Sequence, residues 1–269
     1  MSNEDFDFYE GRRELKRRRD KDLFETVEEV FDTSTIMSIL GLMRKKIIKR
    51  LNGVISAGKE SRVYLGYSYG GEQLAVKIYL TSTAVFRKGI LKYIAGDPRF
   101  EGFRPSDTRK LIYLWTRKEF RNLKRMYTAG AKVPKPIAFY NNVLVMEFLG
   151  EGGRRYPLLI EAYHELDMAD LEKIYNLVLQ ELEKIVCKAN LVHGDLSEYN
   201  IMVKPGIDIA IIDVSQAVDI KHPNAFNLLV RDVNNINRFF REEAGLKSIA
   251  GGEEIIGRLL PCLEKRKAD

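Results

Sequence analysis

From Leu23 to Leu51 apolar residues recur at helical spacing: Val27, Val30 and Phe31, then Ile36, Ile39, Leu40 and Met43. The interruption at D32-T-S-T35 predicts two helices, the second ending in the basic turn R44-K-K-I-I-K-R50. From Gly53 the period becomes strand-like. Val54 and Ile55 lead into S56-A-G-K-E-S61, followed by V63-Y-L-G-Y67, a turn at Y69-G-G71, and L74-A-V-K-I-Y79. Residues 81 to 104 carry three glycines and one proline with no sustained period, and a connection that long is functional or mobile. Helical spacing returns after P105-S-D-T108, with Ser106 or Asp107 as N-cap and an end before Gly130. Its buried stripe runs through Leu111 or Ile112, Trp115, Leu123 and Met126. A strand pair, V133-P-K-P-I-A-F-Y140 and V143-L-V-M-E-F-L149, turns at Asn141-Asn142. G150-E-G-G153 reads as a flexible joint. A long amphipathic helix spans Leu166 to Asn190, and helices follow around Asn227 to Glu243 and Glu253 to Lys265.

Between those last helices and the long one lies L191-V-H-G-D-L-S-E-Y-N-I-M-V203, with I211-I-D213 ten residues on. Two apolar runs, Ile201 to Val203 and Ile209 to Ile212, flank K204-P-G206 and predict a short hairpin. That hairpin brings Asp195, Asn200 and Asp213 together. Asp and Asn supply the hard oxygens that Mg²⁺ prefers, and a further Asp can accept a proton from an attacking hydroxyl. Two polar residues fall on apolar patterns elsewhere. Lys77 sits inside a strand, alternating with Ala75 and Tyr79, and Glu119 lies on the helix stripe seven before Met126. A carboxylate facing a core needs a cationic partner or a raised pKa.

Composition narrows the class without choosing it. The 269 residues are 45% apolar and 30% charged, enough to bury a core as one two-lobed domain or two small ones. Cys187 and Cys262 are too far apart for a C-x-x-C pair, and no secretory leader is evident, so the cytoplasm is the default compartment. No apolar run is long enough to span a membrane. The net charge of +6 is concentrated near the N-terminus, where R12-R-E-L-K-R-R-R19 reads as a solvated helix or a phosphate-contacting arm. The three histidines, His164, His193 and His222, lack metal-site spacing, and His193 is read as a hydrogen-bonding brace for its loop.

H193-G-D195-x-x-x-x-N200 followed by D213-V-S215 resembles the H-R-D-x-x-x-x-N and D-F-G words of protein kinases. A75-V-K77 resembles V-A-I-K, fourteen residues after Val63. Laying the kinase glycine loop over Ser56 to Val63 places Gly58 on its middle glycine, with Ser56 and Ser61 in the other two positions. Lys59, Glu60 and Ser61 could reach phosphates through side chains and backbone N–H groups. With S56-A-G-K-E-S61, the insert before T116-R-K-E-F-R-N-L123, R121-N-L, T128-A-G130 and I212-D-V-S215, the chain resembles the RIO atypical protein kinases, and specifically the first subfamily, of archaeal type, which has no winged helix.

The resemblance implies an α+β, two-lobed kinase-like fold with extra N-terminal helices and a trimmed C-terminal lobe. It divides the chain into a basic helical segment at 1–50, an N-lobe at 51–149 with a flexible insert at 81–104, and a reduced C-lobe at 150–269. It implies ATP with Mg²⁺ or Mn²⁺, serine autophosphorylation, ATPase-coupled work and a pre-small-subunit ribosomal particle with its rRNA as partner. By motif, Asp195 is the catalytic base, Lys77 contacts phosphates and pairs with Glu119, and Asn200 and Asp213 hold metal. Met146 guards the adenine pocket, with the Glu147, Phe148 and Leu149 backbone at the adenine edge. Gly194 replaces the usual Arg and Val214 the Phe of D-F-G, so flipping of that motif does not transfer. Ser82, Thr83, Ser106 and Thr108 are the autophosphorylation candidates. The rival readings are a small-molecule kinase of aminoglycoside or choline type, a small tRNA-modification kinase, and an RNA-binding assembly factor whose nucleotide site is only a switch.

Overall fold

The computed structural model describes residues 31–80, 84–102 and 107–264. The basic arm at 12–19, the first expected helix before Phe31, Ser82, Thr83 and Ser106 lie outside the described residues.

Helix α1 (Thr33–Arg44) begins where the sequence is interrupted, because Asp32 caps it by accepting the Thr35 N–H at 2.8 Å. It does not continue into the basic turn. The chain leaves the helix at Arg44, Lys46 takes a left-handed φ of 58°, and Ile48 is fully buried. Ile48 serves the sheet core rather than a helix stripe, and Arg50 already opens β1. Strands β1 (Arg50–Ala57), β2 (Ser61–Tyr67), β3 (Gln73–Tyr79), β4 (Pro136–Tyr140) and β5 (Val143–Glu147) form one antiparallel sheet in the order β1-β2-β3-β5-β4.

The two faces of this sheet do different things. Tyr64, Leu74, Val76, Ile78, Val143 and Val145 point back and are covered by Ile39 and Leu42 of α1 together with Ile48. Full burial of each such aliphatic side chain contributes about 1.5–3 kcal/mol. On the other face Val63 pairs with Lys77, Lys77 with Leu144, and Ala75 with Met146. Covered on both sides, β3 is buried along almost its whole length, Lys77 included.

The described part of the 81–104 stretch, residues 84–102, is more regular than its sequence indicates. Helix α2 (Ala84–Ile94) is followed by a 3₁₀ turn at Pro98–Phe100. Ile90, Tyr93 and Ile94 repeat at helical spacing and are buried, but under two turns of repeat is too short to stand out beside three glycines. Helix α3 (Thr108–Thr128) is capped by Asp107 and stopped at Gly130, which takes a φ of +78°. The expected joint at G150-E-G-G153 is a tight hairpin between β6 (Gly150–Glu151) and β7 (Arg154–Arg155), turning on Gly152 and Gly153 at φ of 59° and 80°.

The second part of the chain packs helices α4 (Leu159–Ala162), α5 (Met168–Glu183), α6 (Ala225–Arg238) and α7 (Gly252–Glu264) around small β-elements. These are β8 (Leu191–Val192) with β11 (Val218–Asp219), and the expected hairpin of β9 (Ile201–Lys204) with β10 (Asp208–Ile211). A disulfide joins Cys187, in the π-helical turn after α5, to Cys262 on α7. Sequence spacing alone had excluded only the C-x-x-C pairing; the fold brings these Cα atoms to 5.1 Å. Closing a 75-residue separation contributes about 2–4 kcal/mol by restricting the unfolded chain.

Candidate active site

Between the front of the sheet and the β9–β10 hairpin lies a cavity of about 250 Å³. The sheet supplies Ser56, Gly58, Ser61, Val63, Ala75 and Lys77, and the connection after β5 supplies Met146, Glu147, Phe148 and Leu149. The opposite wall is Asn200, Met202, Ile212 and Asp213, with Tyr199 at the mouth. Four expected residues do not line it, Asp195 among them. Lys59 and Glu60 are exposed at the tip of the β1–β2 turn, and Glu119 lies behind Lys77.

Lys77 is 5% exposed and donates from Nζ to Glu119 Oε1 at 2.8 Å and to Asp213 Oδ1 at 2.9 Å. Burial alone would lower the ammonium's pKa, but Asp213 and Glu119 outweigh it and hold the value well above the ordinary lysine range. Glu119 also accepts from the Tyr79 hydroxyl. Burial lifts the Glu119 pKa above normal, opposed by Lys77. Asp213 behaves oppositely. Burial would raise it, but Lys77 and the Ser215 hydroxyl at 2.9 Å bring its pKa down to about 2. Asp213 also takes a left-handed φ of 53°, a conformation rare outside glycine and concentrated at functional sites.

Asp195 is half-buried at the end of the catalytic-loop word, and Gln216 Nε2 donates to its Oδ2 at 2.7 Å. Burial and the neighbouring Asp213 raise its pKa. Asn200 Nδ2 donates to the Asp195 backbone carbonyl at 2.7 Å, which ties the two ends of the word and leaves Asn200 Oδ1 as an acceptor. The donor set for a metal is therefore one carboxylate and one amide oxygen, hard ligands suited to Mg²⁺ or Mn²⁺. Among the described residues no group of three or more His, Cys, Asp or Glu gathers for a metal, so phosphate and water must complete any such shell.

His193 makes the bracing hydrogen bond expected of it, whereas the contacts of Asp232, Lys118 and Asn122 carry no motif. His193 is fully buried, donates from Nε2 to the Ile212 carbonyl at 3.3 Å, and is kept neutral by burial, its pKa lowered to about 4. Gly194 takes a φ of +77°, and a Cβ there would meet the Gln216 carbonyl oxygen at 3.2 Å, so Arg has no place at this position. Asp232 of α6, fully buried, accepts the backbone N–H groups of Gly194 at 2.7 Å and Leu196 at 2.9 Å. On α3, Lys118 donates to the carbonyls of Ser215 at 2.7 Å and Ala217 at 2.6 Å, and Asn122 to those of Val214 at 2.8 Å and Ala217 at 3.0 Å. The signal for these was available: Lys118, Asn122 and Asp232 all fall on apolar helix stripes, as Glu119 does.

A RIO domain profile matches residues 62–250. The chain is 41% identical over 239 residues to the RIO-type serine/threonine-protein kinase Rio1 of Haloferax volcanii, covering 89% of this chain and 79% of that one. It is 40% identical over 230 residues to the Methanocaldococcus jannaschii Rio1, covering 85% and 76%. The serine/threonine-protein kinase RIO1 of Caenorhabditis elegans is 41% identical over 230 residues, but this chain spans only 44% of that longer relative. Among solved structures, the ADP/Mg²⁺-phosphoaspartate complex of Rio2 kinase from Chaetomium thermophilum superimposes with a TM-score of 0.63 at 24% identity, covering 86% of this chain and 70% of that one. That likeness shows the two-lobed kinase fold. Cavity, motif order and relatives agree, and the chain belongs to the RIO family of atypical protein kinases, with relatives of the RIO1 type at about 40% identity.

Proposed function

We propose that the chain is an ATP-dependent serine protein kinase and ATPase that phosphorylates itself and acts in small ribosomal subunit maturation. The observation that carries the phosphotransfer reading is the convergence of Lys77, Asp213 and Asn200 on one cavity, with Lys77 clamped between two carboxylates and Asp195 tied to Asn200. Val63, Ala75 and Met146 would hold the adenine, against the backbone of Glu147 to Leu149. The β1–β2 turn, Ser56 to Ser61, covers the phosphates and offers backbone N–H groups where a typical kinase has more glycine. Asn200 and Asp213 would hold Mg²⁺ or Mn²⁺, which would supply charge neutralisation for the transferring phosphoryl group. The Rio2 neighbour was solved with ADP and Mg²⁺, which favours the same cofactors here. Lys77 positions phosphate oxygens, and Glu119 with Tyr79 fixes the lysine. Asp195, its pKa lifted toward working pH, orients and accepts the proton of a serine hydroxyl or of water.

The test incubates the whole chain with γ-labelled ATP and Mg²⁺ and measures label on protein and free phosphate together. Asp195→Asn and Asp213→Asn should each reduce both signals at least ~100-fold. Bound ATP with neither signal above those variants would replace this reading with a nucleotide-operated switch. Transfer to an aminoglycoside or choline, with no label on protein, would replace it with a small-molecule kinase.

A further inference from the structure

The backbone around Asp195 is held by several contacts, none of which touches its carboxylate. Asp232 accepts the N–H groups on either side of it, those of Gly194 and Leu196. Asn200 donates to the Asp195 carbonyl, and Arg231 donates to that of Gly194. The side chain itself is left free by all of these, because the last torsion of an aspartate is intrinsically broad. A base that takes a proton from a hydroxyl needs one oxygen aimed within about 10–20° of the productive direction.

Among the described residues one side chain restrains that torsion. Gln216 Nε2 donates to Asp195 Oδ2 at 2.7 Å, and no donor meets Oδ1. An ionised carboxylate only accepts, so the amide must present its nitrogen. Gln216 ends the 3₁₀ turn Val214–Gln216, which begins directly after Asp213. The approach of the two segments depends on Gly194. Its φ of +77° and missing Cβ let the catalytic loop lie against the Gln216 carbonyl oxygen, which a Cβ would meet at 3.2 Å.

The turn does not need this bond for its own support. Lys118 holds the Ser215 carbonyl, Asn122 those of Val214 and Ala217, and Arg99 reaches Ala217 at 3.3 Å. Nor is Gln216 among the residues that line the nucleotide cavity. With both backbones fixed independently, the direction of the Asp195 carboxylate is what the bond decides.

We propose that Gln216 is a positioning residue for phosphoryl transfer, holding Oδ2 of Asp195 so that Oδ1 meets the attacking hydroxyl. The role rests on the phosphotransfer reading above. The hydroxyl oxygen bonds to the γ-phosphorus as its proton passes to Oδ1, and the bridging oxygen leaves with ADP. Gln216 gains and loses no atom.

The test uses the whole chain with γ-labelled ATP and Mg²⁺, measuring kcat, KM for ATP, label on protein, free phosphate and thermal melting. Gln216→Met keeps the length and removes the donor. Its kcat should fall about 30-fold while KM for ATP and melting stay near the parent's. Gln216→Lys restores a donor of similar reach and should recover kcat to within about fivefold of the parent. Gln216→Asn, one methylene short of Oδ2, should fall about as far as Gln216→Met and replaces it if that variant melts early. A double-mutant cycle then separates aiming from support. Added to Asp195→Asn, Gln216→Met should cost less than about twofold more, because the group it aims is gone. Parent-like kcat in Gln216→Met overturns the proposal, as does an equal loss in both backgrounds, which would make Gln216 a support of the turn. A raised KM at unchanged kcat assigns it to nucleotide binding and overturns the proposal too. Each of these failures occurs in an active parent and leaves the phosphotransfer reading intact. A parent that labels no protein and releases no phosphate removes that reading, and the proposal with it.

Discussion

Lys77 and Lys118 are both buried lysines, one on β3 and one on α3, and they are built to opposite ends. Lys77 faces two carboxylates, and its charge is stabilised. Lys118 faces two backbone carbonyls and the Trp115 ring, with its Nζ 4.7 Å from the ring centroid. Burial, with Arg99 adding repulsion, pushes its pKa well below the ordinary lysine range. At the first position the positive charge is what the site uses. At the second the N–H donors are what the fold uses, and charge is a cost. Adjacent residues on α3 enforce the contrast: Glu119 turns toward the sheet and holds Lys77, while Lys118 turns toward Val214 to Ala217 and holds the segment after Asp213. One helix thus fixes both sides of the cavity.

The largest effect should come from removing the charge that the site needs. Lys77→Met should lower turnover about 10³-fold, roughly 4 kcal/mol in the barrier, and, by leaving the buried Glu119 without its cation, lower the unfolding free energy by about 3–5 kcal/mol while the chain still folds. Turnover and melting measured on the same variant separate the two roles. If Lys77→Met instead unfolded the chain while a refolded fraction kept full activity, the lysine would be structural, like Lys118.

Asp232 is the acidic counterpart of Lys118: a buried ionisable group used to hold backbone. Burial, with Asp195 adding to it and Arg231 opposing, raises its pKa to about 7 from an unfolded value of 3.8. The native state then keeps a proton that the unfolded state has lost. Stability therefore falls as pH rises from about 4 to about 7 and is flat in this respect above that, by at most about 4 kcal/mol. Denaturant unfolding at pH 5 and pH 7.5 should show the fall in the parent. Asp232→Asn should remove that slope while costing about 1–3 kcal/mol at pH 5, because its amide replaces one acceptor with a donor. An unchanged slope would place the titration elsewhere.

How much of this was legible beforehand follows from the same distinction. Words with fixed spacing, Asp195 to Asn200 and Val63 to Lys77, located the cavity walls, because chemistry constrains both residue type and interval. The Lys77–Glu119 pair spans 42 positions yet was readable, since both residues interrupt apolar patterns and a motif order linked them. Lys118, Asn122 and Asp232 interrupt apolar patterns just as clearly, but their partners are backbone carbonyls and N–H groups, which leave no letter in the sequence. The helix within 81–104 and the Cys187–Cys262 bond were hidden for another reason. A repeat shorter than two turns carries little periodicity, and a bond across 75 residues depends on packing alone. The basic turn at 44–50 misled because cations at a helix end are common, whereas here Ile48 is drawn into the sheet core.

Lys118→Met tests the second member of the pair of lysines. The substitution keeps length and apolar contact with Trp115 but leaves the Ser215 carbonyl without this donor, while Ala217 keeps Asn122 and Arg99. A loss of about 2 kcal/mol in unfolding free energy is expected, with turnover reduced by about tenfold through loosening of the Asp213 segment. ATP affinity should change less than turnover, since no cavity-lining side chain is altered. Were Lys118→Met as damaging to turnover as Lys77→Met, with stability intact, the lysine's charge would be acting on the reaction and the contrast would fail.

The smallest expected effect belongs to Tyr79→Phe. Tyr79 donates its hydroxyl to Glu119, on the oxygen opposite the one that meets Lys77. Removing the hydroxyl takes one hydrogen bond from a buried carboxylate that still holds its ammonium partner, a cost of about 1 kcal/mol. The ion pair supplies most of the restraint on Lys77, so turnover should fall less than tenfold and the metal dependence should not move. Because the phenol's own pKa is pushed well up by burial and by Glu119, it stays protonated across the working range and contributes no pH dependence. A pH–rate profile for Tyr79→Phe should therefore superimpose on the parent's after scaling. A displaced profile would mean that Glu119 exchanges a proton with Tyr79 during turnover, and that the lysine is positioned by a proton relay rather than by a fixed ion pair.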